Sequence, residues 1–145
     1  MAACRRESNR SGTGRYTYGG AHRVDKFARR AQNRAMIEDT LSKLEVRIRA
    51  LSAMPAEKRT ELAALIGTLR EEIQRIPGTH ADQAESIARF AELSTHEAMR
   101  PSVNAELRRL SLDGLTVSAR GFEASHPKLV DVVNSICASL SSLGI

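Results

Sequence analysis

Apolar residues recur along this chain at alternating spacings of three and four, in successive segments separated by prolines. Ile37, Leu41, Leu44, Ile48 and Leu51 form one set, and Leu62, Ile66, Leu69, Ile73 and Ile76 a second. Ala84, Ile87, Ala91, Ser94 and Ala98 follow, with Phe90 alongside. Then come Val103, Leu107, Leu110, Gly114, Val117 and Gly121, and finally Leu129, Val133, Ile136, Leu140 and Leu143. On an α-helix each set falls on one stripe, whereas a strand of period two would scatter it over both faces. Pro55, Pro77, Pro101 and Pro127 separate the sets, because the residue before a proline is pushed out of the α region.

The pattern predicts helices near 36–53, 55–76, 80–99, 103–124 and 127–143. The fold class is all-α: a compact helical bundle or packed helical hairpins of about five helices, behind a disordered N-terminal head. The chain has no Trp, two Tyr and three Phe, so the core must be aliphatic, which suits helix-on-helix packing. A length of 145 residues fits one domain, able to bury roughly two-thirds of its unfolded surface without a metal or a disulfide.

Local signals set the expected helix ends. Glu38 and Asp39 early, with Arg47 and Arg49 late, suit the dipole of the first helix. The short connection at Pro55 implies an antiparallel hairpin of the first two helices. Thr79-His80-Ala81-Asp82 reads as a capping box for the third helix. The small residues of that helix bury little area, which makes it the least secured of the set. In the fourth, either a neighbouring helix crosses at the glycines or the segment breaks near Asp113-Gly114. Ser125, His126 and Pro127 form the start of the fifth, where the Ser125 or His126 side chain is expected to cap an orphan backbone N–H. Leu129, Val133, Ile136, Leu140 and Leu143 are its core seam, and Gly144-Ile145 suits a Schellman end.

The net charge of +5 is unevenly placed. Residues 1–35 carry eight Arg and one Lys against Glu7 and Asp25, while residues 36–145 are slightly acidic. The chain therefore divides into a basic, largely disordered extension, 1–35, and a helical domain, 36–145. Arg5, Arg6, Arg10, Arg15, Arg23, Arg29, Arg30 and Arg34 could neutralise phosphates, with Tyr16 and Tyr18 stacking on bases. The same segment also reads as upstream sequence translated from a start codon assigned too early, or as a targeting peptide. No run approaches 18 apolar residues and no secretory signal is evident, so neither a membrane partner nor export is expected.

Catalytic chemistry finds little support. His80, His96 and His126 have no close ligand partner, so no metal site is expected. Cys137 and His126 stand about three helical turns apart on one helix and cannot form a dyad within it. No phosphate-binding loop, nucleophile elbow or dinucleotide fingerprint is present, and no cofactor is expected.

The run Phe122-Glu123-Ala124-Ser125-His126-Pro127-Lys128-Leu129 is followed by Val133-Asn134, Leu140 and Leu143-Gly144-Ile145. It resembles the C-terminal signature of a family of short bacterial proteins known only as a domain of unknown function. Members of that family begin with a Leu-rich helical hairpin, a character shared by residues 36–76. The resemblance implies a small helical cytoplasmic protein over residues 36–145, carries no catalytic residues, and leaves the extension outside the family pattern. The expected function is that of a non-enzymatic structural or protein-interaction module, a homo-oligomer or the partner of another protein through its helical faces. The alternative is a nucleic-acid-associated protein acting through residues 1–35.

Overall fold

Ala81, Ala84, Ala88, Ala91, Ser94 and Ala98 are small, and their helix packs against several others within the bundle. The computed structural model describes residues 4–143, with side chains from residue 25 onward. Its helices are α1 (Cys4–Arg49), α2 (Ala56–Gln74), α3 (Ala81–Ala98), α4 (Ala105–Arg120) and α5 (Pro127–Ser142), with a 3₁₀ turn at Gly78–His80. No strand occurs among the described residues, and none of their helices is long and apolar enough to cross a membrane. Backbone contacts divide the chain into two units, Met1–Gln32 and Asn33–Ile145, and the second contains the bundle. The side chains of residues 1–24 and the expected Gly144-Ile145 cap lie outside the described residues.

Within the bundle, polar contacts fix the direction of each helix. Arg70 donates to Ser42 Oγ and Gln74 to Glu38 Oε2, so α2 runs antiparallel to the preceding helix, as the hairpin reading required. Asn33 reaches Asp82, and Arg89 reaches Met36, so α3 runs parallel to that first helix. Cys137 lies against Thr116 and the Leu112 carbonyl, and Lys58 donates to Ser142, so α5 is antiparallel to both α4 and α2. Four helices thus close a ring around the aliphatic core, and α4 lies over the groove between α3 and α5.

The first, second and fifth stripes form that core. Ile37, Leu41, Leu44 and Ile48 are buried, as are Leu62, Ile66, Leu69, Ile73 and Ile76. Leu129, Val133, Ile136 and Leu140 are fully buried, and Leu143 is half-buried against them. The third stripe corrects the expectation of a poorly secured helix. Because α3 meets neighbours on several sides, small residues allow each of them close approach, and Ala84, Ile87, Ala88, Ala91, Ser94 and Thr95 are all buried. A helix in that position needs thinness more than bulk.

The fourth stripe is a second correction. Ser111, Leu115 and Ala119, with Phe122 beyond the last turn, face the core. The expected stripe points outward: Val103, Leu107, Leu110 and Val117 are 42, 44, 51 and 58% exposed. The helix is unbroken at Gly114, where a Cβ would lie 2.4 Å from Phe90 Cε1, so the glycine marks a close crossing of α3 and α4.

Several ends differ from expectation. α1 reaches far back beyond Met36, through residues 25–35 of the extension expected to be largely disordered, and stops at Arg49 rather than near Ala53. α4 begins after Asn104, whose Oδ1 accepts from the N–H groups of Glu106 and Leu107 at 3.1 Å, and stops at Arg120 rather than near Ala124. This is an Asx cap that the apolar pattern passed over. The Thr79 capping box does not form. The 3₁₀ turn takes its place, with the His80 N–H donating to the Pro77 carbonyl at 2.9 Å, and α3 has no side-chain cap.

Two glycines on α4 should respond to alanine with opposite signs. Gly114→Ala drives a methyl into the rigid Phe90 ring and should destabilise by about 1–3 kcal/mol despite the better helix propensity of Ala. Gly121→Ala meets open space in an ordinary helical conformation and should stabilise by about 0.4–1 kcal/mol. Ile136→Ala, in the fully buried seam, should cost about 2–5 kcal/mol. Urea unfolding of the three variants measures all of these; a stabilised Gly114→Ala would contradict the crossing.

Candidate functional site

Two places in the bundle concentrate features that packing alone does not use. The first is the turn between α4 and α5. Its chain reverses through hydrogen bonds from Phe122 N–H to the Ala119 carbonyl at 3.0 Å and from His126 N–H to the Phe122 carbonyl at 2.7 Å. The reversal sends the Phe122 side chain inward, where it is buried. Two imidazoles then meet that ring edge-on: His80 at 6.0 Å between centroids and His126 at 5.8 Å. Such edge-to-face pairs are each worth about 0.5–1.5 kcal/mol.

The pairing with His80 was not foreseen from sequence, where the histidines are far apart. It follows from the up-and-down topology, which brings the start of α3 and the start of α5 to one end of the bundle. His126 does occupy the position before α5, and Pro127 opens that helix, but no side chain caps it. His126 Nδ1 instead lies 3.1 Å from Ser125 Oγ, so the two candidate capping groups engage each other. The geometry supplies packing and a turn. No acidic group completes a catalytic pair there, and no cluster of metal-binding side chains occurs among the described residues.

Cys137 is a weak nucleophile by position. It is half-buried, and burial pushes its thiol pKa up; Thr116, 3.6 Å away, opposes this shift, while the nearby Asp113 charge adds to it. The cleft between the start of the bundle and α2, about 430 Å³ in volume, holds Arg34 and Arg70. Both cations are already engaged. Arg34 donates to the Ile76 carbonyl at 2.9 Å, past the end of α2, and Arg70 pairs with Glu38 and Glu45. Of the other candidate phosphate contacts, Arg29 is exposed and Arg30 half-buried. Arg5, Arg6, Arg10, Arg15 and Arg23 lie outside the residues whose side chains are described.

The second place is the outer surface of the α3–α4 hairpin. The Gly114–Phe90 contact sets the register of these antiparallel helices. Leu93 of α3, 44% exposed, lies one turn along from Phe90, level with Leu110. Leu107, Leu110 and Val117 continue the apolar surface along α4. Beneath it, Glu97 is buried with one carboxylate oxygen on Arg100 at 3.1 Å and the other without a partner among the described residues. Single exposed aliphatic side chains are ordinary on any protein, but a continuous row of them is a feature of interaction surfaces.

A family model for a domain of unknown function, DUF4404, matches residues 62–145, more than half of the chain. The chain belongs to the DUF4404 family. The match runs from α2 to the end of the chain and contains the Phe122–Leu129 signature, both exposed helix faces of the α3–α4 hairpin and the whole of α5. It leaves out α1, although α1 supplies one wall of the core. No curated protein and no solved structure matches the chain.

The turn should behave as a packing element. Phe122→Ala should cost about 3–5 kcal/mol, while His126→Ala, which loses one edge contact, should cost about 0.5–1.5 kcal/mol. Thermal or urea melts report both. Because the Cys137 pKa is raised, less thiolate is present at a given pH, and iodoacetamide should modify it more slowly than a small free thiol near neutral pH. Alkylation as fast as that of the small thiol would show an activated cysteine.

Proposed function

We propose that this DUF4404 protein is a non-enzymatic protein-interaction module that works through the outer face of α4. The observation that carries this reading is the α4 stripe itself. Leu107, Leu110 and Val117 keep heptad spacing, as a helix–helix seam does, yet they point away from their own core. A helix that needs only one buried face for folding is here apolar on two. The second face has a cost in solubility, which contact with a partner would offset.

The rest of the molecule agrees with a binding role. The cleft beside α2 has its arginines engaged, Arg70 by carboxylates and Arg34 by a carbonyl, the one described thiol is unactivated, and the paired histidines share a phenylalanine rather than an acid. A free, half-buried cysteine suits a reducing compartment, and we place the protein in the bacterial cytoplasm on that ground and on the character of the signature.

Photo-crosslinking in cells tests the reading. A photoreactive amino acid replacing Leu110 or Val117 should give a discrete adduct, and one replacing the exposed Thr60 on α2 should not. Val117→Glu should suppress the Leu110 adduct if both positions belong to one surface. Absence of any adduct from α4 positions would overturn the proposal.

A further inference from the structure

Resting on that reading of the α4 face, we infer that its partner is a second copy of this chain, docked with the two α4 helices antiparallel across a two-fold axis near Leu112. Two observations lead there. The first is the arrangement of charge beside the stripe. Glu106, Asp113 and Arg120 are spaced by seven and form a column along the side of the stripe away from α3. Arg109 lies exposed next to them. Among the described residues, every ion pair lies in α1, α2 or α3 or just past the end of α2 or α3, so none uses these four charges.

The column carries its acid at the start of α4 and its base at the end. Antiparallel copies set Glu106 level with Arg120 of the other copy, and two-fold symmetry makes that contact twice. A parallel pairing would put the two columns on opposite flanks of the seam, where they could not meet, and align the helix dipoles unfavourably. Opposite ends of one helix thus complement each other only when the partner is reversed.

The second observation is the shape of the stripe. With the axis near Leu112, Leu107 of one copy faces Val117 of the other, and Leu110 faces Gly114. Gly114 has no side chain, and the Phe90 ring lies against its backbone. The half-buried ring fills the place a side chain at 114 would take, so the leucine opposite meets a flat aromatic surface. Leu93, also exposed, follows Phe90 by one turn on α3. One contact in this arrangement is unfavourable: the two Asp113 carboxylates approach each other at the axis. A helix of 16 residues is about 24 Å long, so the pair buries less than the roughly 1,200 Å² of a standard stable interface, and the dimer should dissociate in roughly the micromolar range.

Sedimentation of the full chain over a concentration series tests the inference. Reversible monomer–dimer exchange is expected. Leu110→Glu, at an exposed position where circular dichroism should show the fold retained, should weaken dimerisation by about 100-fold or more. Glu106→Arg should weaken it about 10-fold, and adding Arg120→Glu to the same chain should restore it. Asp113→Asn should tighten it, because it removes the repulsion at the axis. A chain that stays monomeric throughout, or a dimer indifferent to Leu110→Glu and to the charge exchange, overturns self-association. If the crosslinker at Leu110 then captures a different protein in cells, self-association fails while the interaction reading stands. If it joins only residues 1–32 of the same chain, or nothing, both fail.

Discussion

The close crossing of α3 and α4 sets the rest of the arrangement. Phe90 lies where a side chain at position 114 would stand, so the two helices approach at the glycine, and the approach fixes their rotation. That rotation turns Ser111, Leu115 and Ala119 inward and leaves Leu107, Leu110 and Val117 outside. It also delivers the end of α4 to the level at which Phe122 can turn into the core beneath the start of α5. A small-residue face on α3 permits the crossing, since the helix is pressed by neighbours on several sides and larger side chains would hold them apart.

Most of the helices were legible from spacing alone. Prolines separate the stripes, and four of the five stripes face the core. Spacing could not say which face of α4 is buried, because that helix carries two. Leu107-Leu110-Gly114-Val117 has the larger side chains and the stricter repeat, so a reading by hydrophobicity chooses it. The buried face, Ser111-Leu115-Ala119, is small and partly polar, suited to a helix pressed into a groove between two others. The decision is tertiary, and it depends on Phe90, a residue on another helix. The same holds for the missed His80–Phe122 contact, which needs the direction of every intervening helix.

Capping was read less well than periodicity, for a local reason. Thr79 and Asp82 have the identities of a capping box, but Pro77-Gly78 tightens the chain into a 3₁₀ turn before α3 begins. Ser125 and His126 have suitable side chains at the start of α5, but His126 turns to Phe122 and Ser125 to His126. A cap competes with any other partner within reach, and a buried aromatic ring prevailed here. Asn104 had no such competitor and caps in the usual way.

The packing of α5 on α2 bears on how the chain can acquire its structure during synthesis. The α1–α2 hairpin is complete soon after Gln74 is made, but the α2 surface that meets α5 has no covering until the segment from Pro127 onward leaves the ribosome. At about 5–20 residues per second, that interval is several seconds. During it, side chains that end up fully buried stand open to water and to other nascent chains. The hairpin therefore stays incompletely packed until α5 has been made.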